Sequence, residues 1–387
     1  MPKVVIFTTD FAPSKGGGIC THSNFMVESL SKLGWQFTIL CEYYIPSTDE
    51  EIQIYALKVG VQIYRLPPAP SKLQMLKKIL FSIRICKKYK PDLIIGTGRH
   101  PTWFASVASK LLRIPLLTIG HGTEFTQSTS KYDFRINKWA YGRSNLIISI
   151  SEYTKEIILK SGIKIKNIVV IPNPANEEIF RKLEKSIIEK FRLDKNIQNR
   201  KIILTVGSLS ERKGQRVIIE SLPKIIETHP DIIYVAIGPP VLKDQFSEIA
   251  NILGVSENVR FPGIVPEEEL VQWINTCDFF MMTSVSNDGD YEGYGIAVIE
   301  AALCGKTSIV SDNGGLKEAV LNEETGLVIP ENSVQITTNS ILELLNDKAK
   351  LVKLSENAFL NARRYNTWNA IGQEYHKQLS AIIGKKK

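Results

Sequence analysis

Short, uninterrupted apolar runs alternate with helical stretches from one end of this chain to the other, and no other feature restricts its fold so strongly. "KVVIFTT" (3–9) is rich in β-branched residues and leads through a glycine loop into a helical pattern, "THSNFMVESLSKLG". "QFTILCEYY", "PDLIIGTG", "IPLLTIGHG" and "NLIISIS" follow, each separated from the next by helical or loop sequence. Strands that are apolar without alternation are buried on both faces, and the helices between them supply the cover. The prediction is a parallel, doubly wound sheet. This set ends near "IVVIPNPANEEIF", where two prolines and two asparagines mark a linker at about 172–180.

The pattern then restarts. "KIILTVGSLS" is a strand with a glycine loop, followed by the helical "GQRVIIESLPKIIETH" and then by "DIIYVAIG", "VRFPGIV", "DFFMMTS", "TSIVSD" and "GLVIP". The expectation is an α/β protein of two Rossmann-like domains, residues 1–175 and 176–365, facing across a cleft with ligand at the carboxyl ends of the strands. A chain of 387 residues is long enough for two such cores. The end, roughly 350–384, reads as helical, with Trp368, Tyr375, Leu379 and Ile382 as a packing stripe.

Composition excludes several classes. No stretch approaches the roughly 18 apolar residues of a membrane span, and "MPKVVIFTTDF" runs into a strand without the sections of a signal peptide. Cys20, Cys41, Cys86, Cys277 and Cys304 lie far apart with no C-x-x-C pair, as suits buried thiols in a reducing compartment, so a cytoplasmic protein is expected. The net charge of +8 suggests an anionic partner. Zinc-finger spacing and aromatic RNA-binding signatures are missing, and the only basic tail is "KKK" at 385–387, so nucleic acid is not expected. "KLQMLKKILFSIRICKKYK" (72–90) carries seven basic residues and no acidic one. It reads either as an amphipathic helix covering the sheet or as a face for peripheral contact with an anionic membrane.

The dinucleotide fingerprint fails in both places where it could stand. The first βα turn, "TTDFAPSKGGG", is not G-x-G-x-x-G, and in "GTGRHP" Pro101 occupies the third glycine position. Other chemistry is better placed. In "YEGYGIAVIE" (291–300) a loop turns into a helix through Gly293, Tyr294, Gly295 and Ile296, where backbone N–H groups and the helix amino end suit a phosphate. Glu292 precedes that point and Glu300 lies about a turn into the helix. Carboxylates accept paired hydrogen bonds from vicinal hydroxyls, so a nucleotide sugar fits, sugar against Glu292 and ribose against Glu300. The plainer reading is one loop glutamate and one helix-surface glutamate. Arg212 and Lys213 in "GSLSERKG" stand at a strand-to-helix turn, either as solvated loop cations or as partners for a diphosphate. Gly17 and Gly18 in "PSKGGGICTH" let backbone amides wrap an anion. His121 and Glu124 in "GHGTE" are polar candidates at another strand end; His22 and His100 follow strand-end loops and stay open, while His229 and His376 read as structural. Asp288 and Asp290 form a D-x-D that either holds a divalent metal or is an acidic turn; no metal and no cofactor is expected.

"EGYGIAVIEA" resembles the E-x(7)-E motif of the retaining glycosyltransferases of family four, which have the GT-B fold. "GGGICTH", "GHGTE", "ISISEYT", "IPNPANEEIF", "LTVGSLSERKG", "VRFPGIVPEEEL" and "SDNGGLKEAVLNEETGLVIP" follow the family's order along the whole chain. The resemblance implies a UDP- or GDP-sugar donor held by the second domain without metal, and a glycan or lipid-linked acceptor bound mainly by the first, at the inner face of the cell membrane. It also implies that the last helix, about 366–387, packs back on the first domain. By position, Lys213 matches the lysine on the donor diphosphate, Glu300 the ribose acid and Glu292 the acid near the transferred sugar. His121 matches the histidine that contacts sugar or diphosphate, and Gly17 and Gly18 the glycine pair near phosphates and acceptor; Glu124 and His22 are acceptor-side candidates. Two departures stand out: Ser208 where the family often has arginine, with Arg212 as a substitute charge, and "NPAN" for the frequent asparagine-glycine at the linker.

The expected function is retaining transfer of a hexose to a glycan or glycolipid acceptor in cell-surface polysaccharide or glycoconjugate synthesis, by front-face displacement. The alternatives are a sugar-nucleotide epimerase or phosphorylase of the same fold, or a non-catalytic nucleotide-sugar-binding protein. Sugar-nucleotide interconversion without acceptor, phosphate-dependent glycan cleavage, or binding without turnover would identify each.

Overall fold

The computed structural model describes residues 1–13, 17–42, 48–67, 71–125, 130–286 and 291–384. The chain divides into two compact units: Met1–Asn173 with Trp368–Lys387, and Pro174–Thr367. In the first unit the chain runs β1 (Lys3–Thr8), α1 (Gly18–Lys32), β2 (Gln36–Cys41), α2 (Asp49–Val59), β3 (Gln62–Arg65), α3 (Lys72–Tyr89), β4 (Leu93–Thr97), α4 (Arg99–Leu112), β5 (Leu116–Gly120), α5 (Lys131–Gly142), β6 (Leu146–Ser149), α6 (Glu152–Lys160) and β7 (Ile168–Val170). The second unit continues with α7 (Lys185–Asp194), β8 (Lys201–Val206), α8 (Gln215–Ile226), β9 (Ile232–Ile237), α9 (Lys243–Ile252), β10 (Val259–Gly263), α10 (Glu267–Thr276) and β11 (Phe279–Met282). It ends with α11 (Ile296–Leu303), β12 (Ser308–Ser311), β13 (Gly326–Ile329), α12 (Val334–Asn346) and α13 (Lys348–Tyr365), after which α14 (Trp368–Gly384) returns to the first unit.

Each unit holds one parallel sheet, in the order β3-β2-β1-β4-β5-β6-β7 in the first and β10-β9-β8-β11-β12-β13 in the second. The strands are apolar on both faces because helices lie on both. Val4 to Phe7, Leu93 to Ile95, Ile202 to Leu204 and Phe279 to Met282 are all essentially without solvent contact. In both sheets the order reverses beside the first strand, between β1 and β4 and between β8 and β11. At such a point the connecting helices leave to opposite faces and open a crevice at the strand carboxyl ends. α1 packs against α14, while α3, α4 and α5 pack side by side. The six strands expected in the second unit are the six found; in the first, five are expected and seven found, the additions being the two sheet edges, β3, whose four-residue "QIYR" is too polar to stand out, and β7, a three-residue "IVV" just before the expected linker.

Candidate functional site

In the second unit the site grows from the two loops that flank the strand switch. After β8 the chain passes Gly207 and Ser208 into a 3-10 turn, Glu211–Lys213, that ends on Gly214. Gly214 has φ +68, and a Cβ there would collide with the Thr283 carbonyl, so only glycine lets the turn lie against the end of β11. Arg212 and Lys213 converge on one carboxylate oxygen, Oε2 of Glu292: Arg212 Nη1 donates at 2.9 Å and Lys213 Nζ at 2.6 Å. Burial alone would raise the Glu292 pKa, but Lys213 and then Arg212 outweigh it and hold the carboxyl below its usual range.

Glu292 is fixed from behind. Its N–H donates to Asn313 Oδ1 at 2.8 Å, and its carbonyl accepts from Gly315 N–H at 2.9 Å. Asn313, fully buried, also donates to Ser286 Oγ and to Glu331. Asn313 carries no candidate role in the sequence reading; "SDNGG" at the end of the strand beside β11 is the signal that points to it. Gly295, at φ +88, is the N-cap of α11 and offers no side-chain cap; Val298 N–H closes on the Gly295 carbonyl at 3.0 Å, and the N–H groups of Ile296 and Ala297 are left for another acceptor. A Cβ on Gly295 would press on Leu316 Cδ1 at 2.6 Å. The Tyr294 ring is buried, and its hydroxyl accepts from Asn366 Nδ2 at 2.9 Å. That side chain serves packing, leaving its backbone as what it can present to a ligand. Glu300 lies on α11, where burial and then the nearby Glu267 carboxylate push its pKa up to about 7. Gln215 Nε2 holds the Ser208 carbonyl at 2.9 Å. Asp288 and Asp290 lie outside the described residues, and among the described residues no group of His, Cys, Asp and Glu could hold a metal.

In the first unit the candidates gather at the ends of β4 and β5 and on α1. Gly17 is the N-cap of α1 and Gly18 its first residue, with open space over the Gly17 Cα. His121 follows β5, and its Nε2 lies 2.8 Å from Thr97 Oγ1 at the end of β4. His22, on the first turns of α1, stacks edge-on against His121 at 5.4 Å between ring centroids and meets the Tyr375 hydroxyl through Nε2 at 2.9 Å. Trp368 covers the same ring at 5.4 Å. Burial lowers the pKa of both histidines, that of His121 to about 4 and that of His22 well below the usual imidazole value with help from His121, so both imidazoles are neutral near pH 7. Glu124 is completely buried. One of its carboxylate oxygens accepts from His121 N–H at 3.4 Å, and its carbonyl accepts from Asn137 Nδ2 at 2.6 Å. It braces the loop that presents His121. Thr97 and Tyr375 complete the cluster; the spacing of α14 singled Tyr375 out for packing alone. His100 stacks on Trp103 at 4.7 Å, and His229 lies 2.9 Å from Lys201 Nζ.

The second unit therefore presents two cations and a free helix start on one side of a strand switch, already holding an internal carboxylate. The first presents a neutral histidine pair at the corresponding strand ends. Two family models match the chain, Glycosyltransferase Family 4 over residues 16–179 and Glycosyl transferases group 1 over 187–360. The chain belongs to the group 1, family 4 glycosyltransferases, enzymes of GT-B fold that take nucleotide sugars as substrates. It is 23% identical over 367 residues to the GDP-mannose-dependent alpha-(1-6)-phosphatidylinositol monomannoside mannosyltransferase of Mycobacterium tuberculosis, with 92% of each chain covered. It is 24% identical over 355 residues to the N,N'-diacetylbacillosaminyl-diphospho-undecaprenol alpha-1,3-N-acetylgalactosaminyltransferase of Campylobacter jejuni, covering 88% of this chain and 90% of that one. The solved structure of Anabaena HepE in complex with UDP and glucose matches with a TM-score of 0.82 at 20% identity, over 98% of this chain and 100% of that one. At that identity the likeness is one of fold.

Proposed function

We propose that this glycosyltransferase moves a hexose, with retention and without a metal ion, from a UDP- or GDP-sugar to a lipid-linked glycan or glycolipid at the cytoplasmic face of the membrane. The observation that carries the reading is the Glu292 bridge. Arg212 and Lys213, from consecutive positions of one turn, meet on a single carboxylate oxygen in front of an uncapped helix start, which is the charge arrangement a diphosphate needs. Arg212 supplies here the cation that the family often places at the position of Ser208. The named relatives support the acceptor class, since one acts on a phosphatidylinositol mannoside and the other on a diphospho-undecaprenol sugar.

In this reading the bond from the sugar C1 to the diphosphate oxygen breaks while the acceptor oxygen joins C1 on the same face, and the acceptor proton passes to the departing phosphate. Lys213, Arg212 and the amides at 293–296 stabilise the charge that develops on the leaving group, so no side chain needs to act as nucleophile. Glu300, and Glu292 once released, receive ribose and sugar hydroxyls. His121, neutral, offers a hydrogen bond rather than a proton. The test is Lys213→Ala. Transfer should fall by about a hundredfold or more, with UDP or GDP binding weakened in EDTA and the fold retained by circular dichroism. Full activity in this variant would sink the assignment.

A further inference from the structure

Helix α3 keeps an apolar stripe that the sheet does not cover. Its inward face is supplied by Ile85 and Cys86, with Met75, Ile79 and Phe81 packed against the same core. Leu73, Leu76 and Leu80 nevertheless point to solvent, at 64%, 51% and 57% exposure. Helical spacing puts Lys77, Arg84, Lys87 and Lys88, all exposed, on that same side. Lys78 is not part of it: that lysine is buried, paired with Glu42 and set 4.7 Å from the Phe104 ring.

The charge extends over the three neighbouring helices, while α6 beyond them is balanced, with Glu152 and Glu156 against Lys155 and Lys160. α3 carries six lysines and arginines, α4 two and α5 three, against Asp133 as the one acid in the three helices. The helices packed on the opposite face reverse the sign: α1, α2 and α14 hold Lys32, Lys58 and Lys377 against Glu28, Asp49, Glu50, Glu51 and Glu374. The leucines occupy the first half of α3. That half follows β3 and so lies toward the strand carboxyl ends, the edge that also carries His121. α5 begins at the same edge with Tyr132, 72% exposed.

We infer that the α3-α4-α5 face docks on an anionic lipid surface, with Leu73, Leu76 and Leu80 sunk among the acyl chains and the cations on the phosphates. Charge complementarity alone would also suit a nucleic acid, but leucines contribute nothing to a phosphate backbone and much to an interface with lipid. The inference rests on the lipid-linked acceptor proposed above, because it brings the acceptor edge of the first unit to the bilayer.

The test is co-sedimentation of the full chain with phosphatidylcholine vesicles, with and without about a third phosphatidylglycerol, at low and high salt. Two triple variants are compared, Leu73→Ser/Leu76→Ser/Leu80→Ser and Lys77→Glu/Arg84→Glu/Lys87→Glu. Binding should need the anionic lipid, weaken with salt, and fall by about tenfold or more in each variant. The thermal shift given by UDP or GDP should be the same in both variants as in the parent. Absence of vesicle binding by the parent, or undiminished binding by the leucine variant, overturns the proposal. So does displacement from vesicles by an RNA duplex that binds the leucine variant equally well, which would assign the face to nucleic acid. Failure of the transferase reading would instead be seen as loss of the nucleotide shift in the parent, a readout independent of the vesicles.

Discussion

Replacing Glu292 by glutamine should tighten binding of the nucleotide diphosphate even as it abolishes transfer. The Glu292 carboxylate sits on the two cations that the proposed diphosphate would use, so an entering nucleotide must displace it. The Lys213 contact, at 2.6 Å with side chains 12% and 15% exposed, is the stronger barrier. Hydrogen bonds to charged groups contribute about 1.5–3 kcal/mol. The Arg212 side chain is 30% exposed, and its share is discounted toward the below-1 kcal/mol value of about a solvated pair. Glutamine keeps the shape and the backbone bonds to Asn313 and Gly315 but competes without charge. The dissociation constant for UDP or GDP should then drop by about tenfold to a hundredfold, the equivalent of the Lys213 contact. Calorimetric titration of both proteins at one low ionic strength measures it directly. Equal or weaker binding by the variant would refute the idea that Glu292 occupies the anion site.

Two further outcomes follow from the packing and the charges. Gly372→Ala should destabilise the protein by about 1–3 kcal/mol, because its Cβ would collide with Ser29 Oγ and lie 3.3 Å from Ser29 Cβ between α14 and α1; chemical denaturation should show the loss partly relieved in Gly372→Ala/Ser29→Ala. Glu300 holds a proton in the folded state that the unfolded chain releases between about pH 4.5 and 7, so its contribution to stability declines as pH rises through that window. Glu300→Gln should remove that decline, read as the difference in urea midpoint between about pH 5 and pH 8, and parallel profiles for the two proteins would refute it.

The sheets were readable because burial on both faces writes strands as solid apolar runs, and a run such as "DIIYVAIG" leaves no competing period. β3 and β7 were not, since edge strands this short need no such run. Glu292, Arg212 and Lys213 could each be singled out from the turns they occupy, yet their meeting on one oxygen is a product of the crossover that sets β11 beside β8. Sequence neighbours cannot announce a contact across about 80 positions. Tyr294 illustrates the converse: its place in the motif suggests a ligand contact, while its ring is drawn into the core by a partner, Asn366, that only the fold supplies. Asn313 and Thr97 escaped for the same reason, being small polar residues whose value lies in what they hold.

The return of α14 to the first unit makes the second unit an insertion within the first. Ala175 and Thr367 pair as an isolated bridge, and Ala175 N–H donates to the Asn366 carbonyl at 3.0 Å, so the ends of the inserted segment are tied together. A ribosome delivers chain from the amino end, and a unit whose residues are contiguous can close as soon as it emerges. Pro174–Thr367 meets that condition; Met1–Asn173 does not, because His22 waits for Tyr375 and Ser29 for the Trp368 carbonyl until the whole second unit has been made. Of the two units, the one begun first is thus the one completed second, and its exposed α1 face is what a nascent-chain chaperone would meet in the interval.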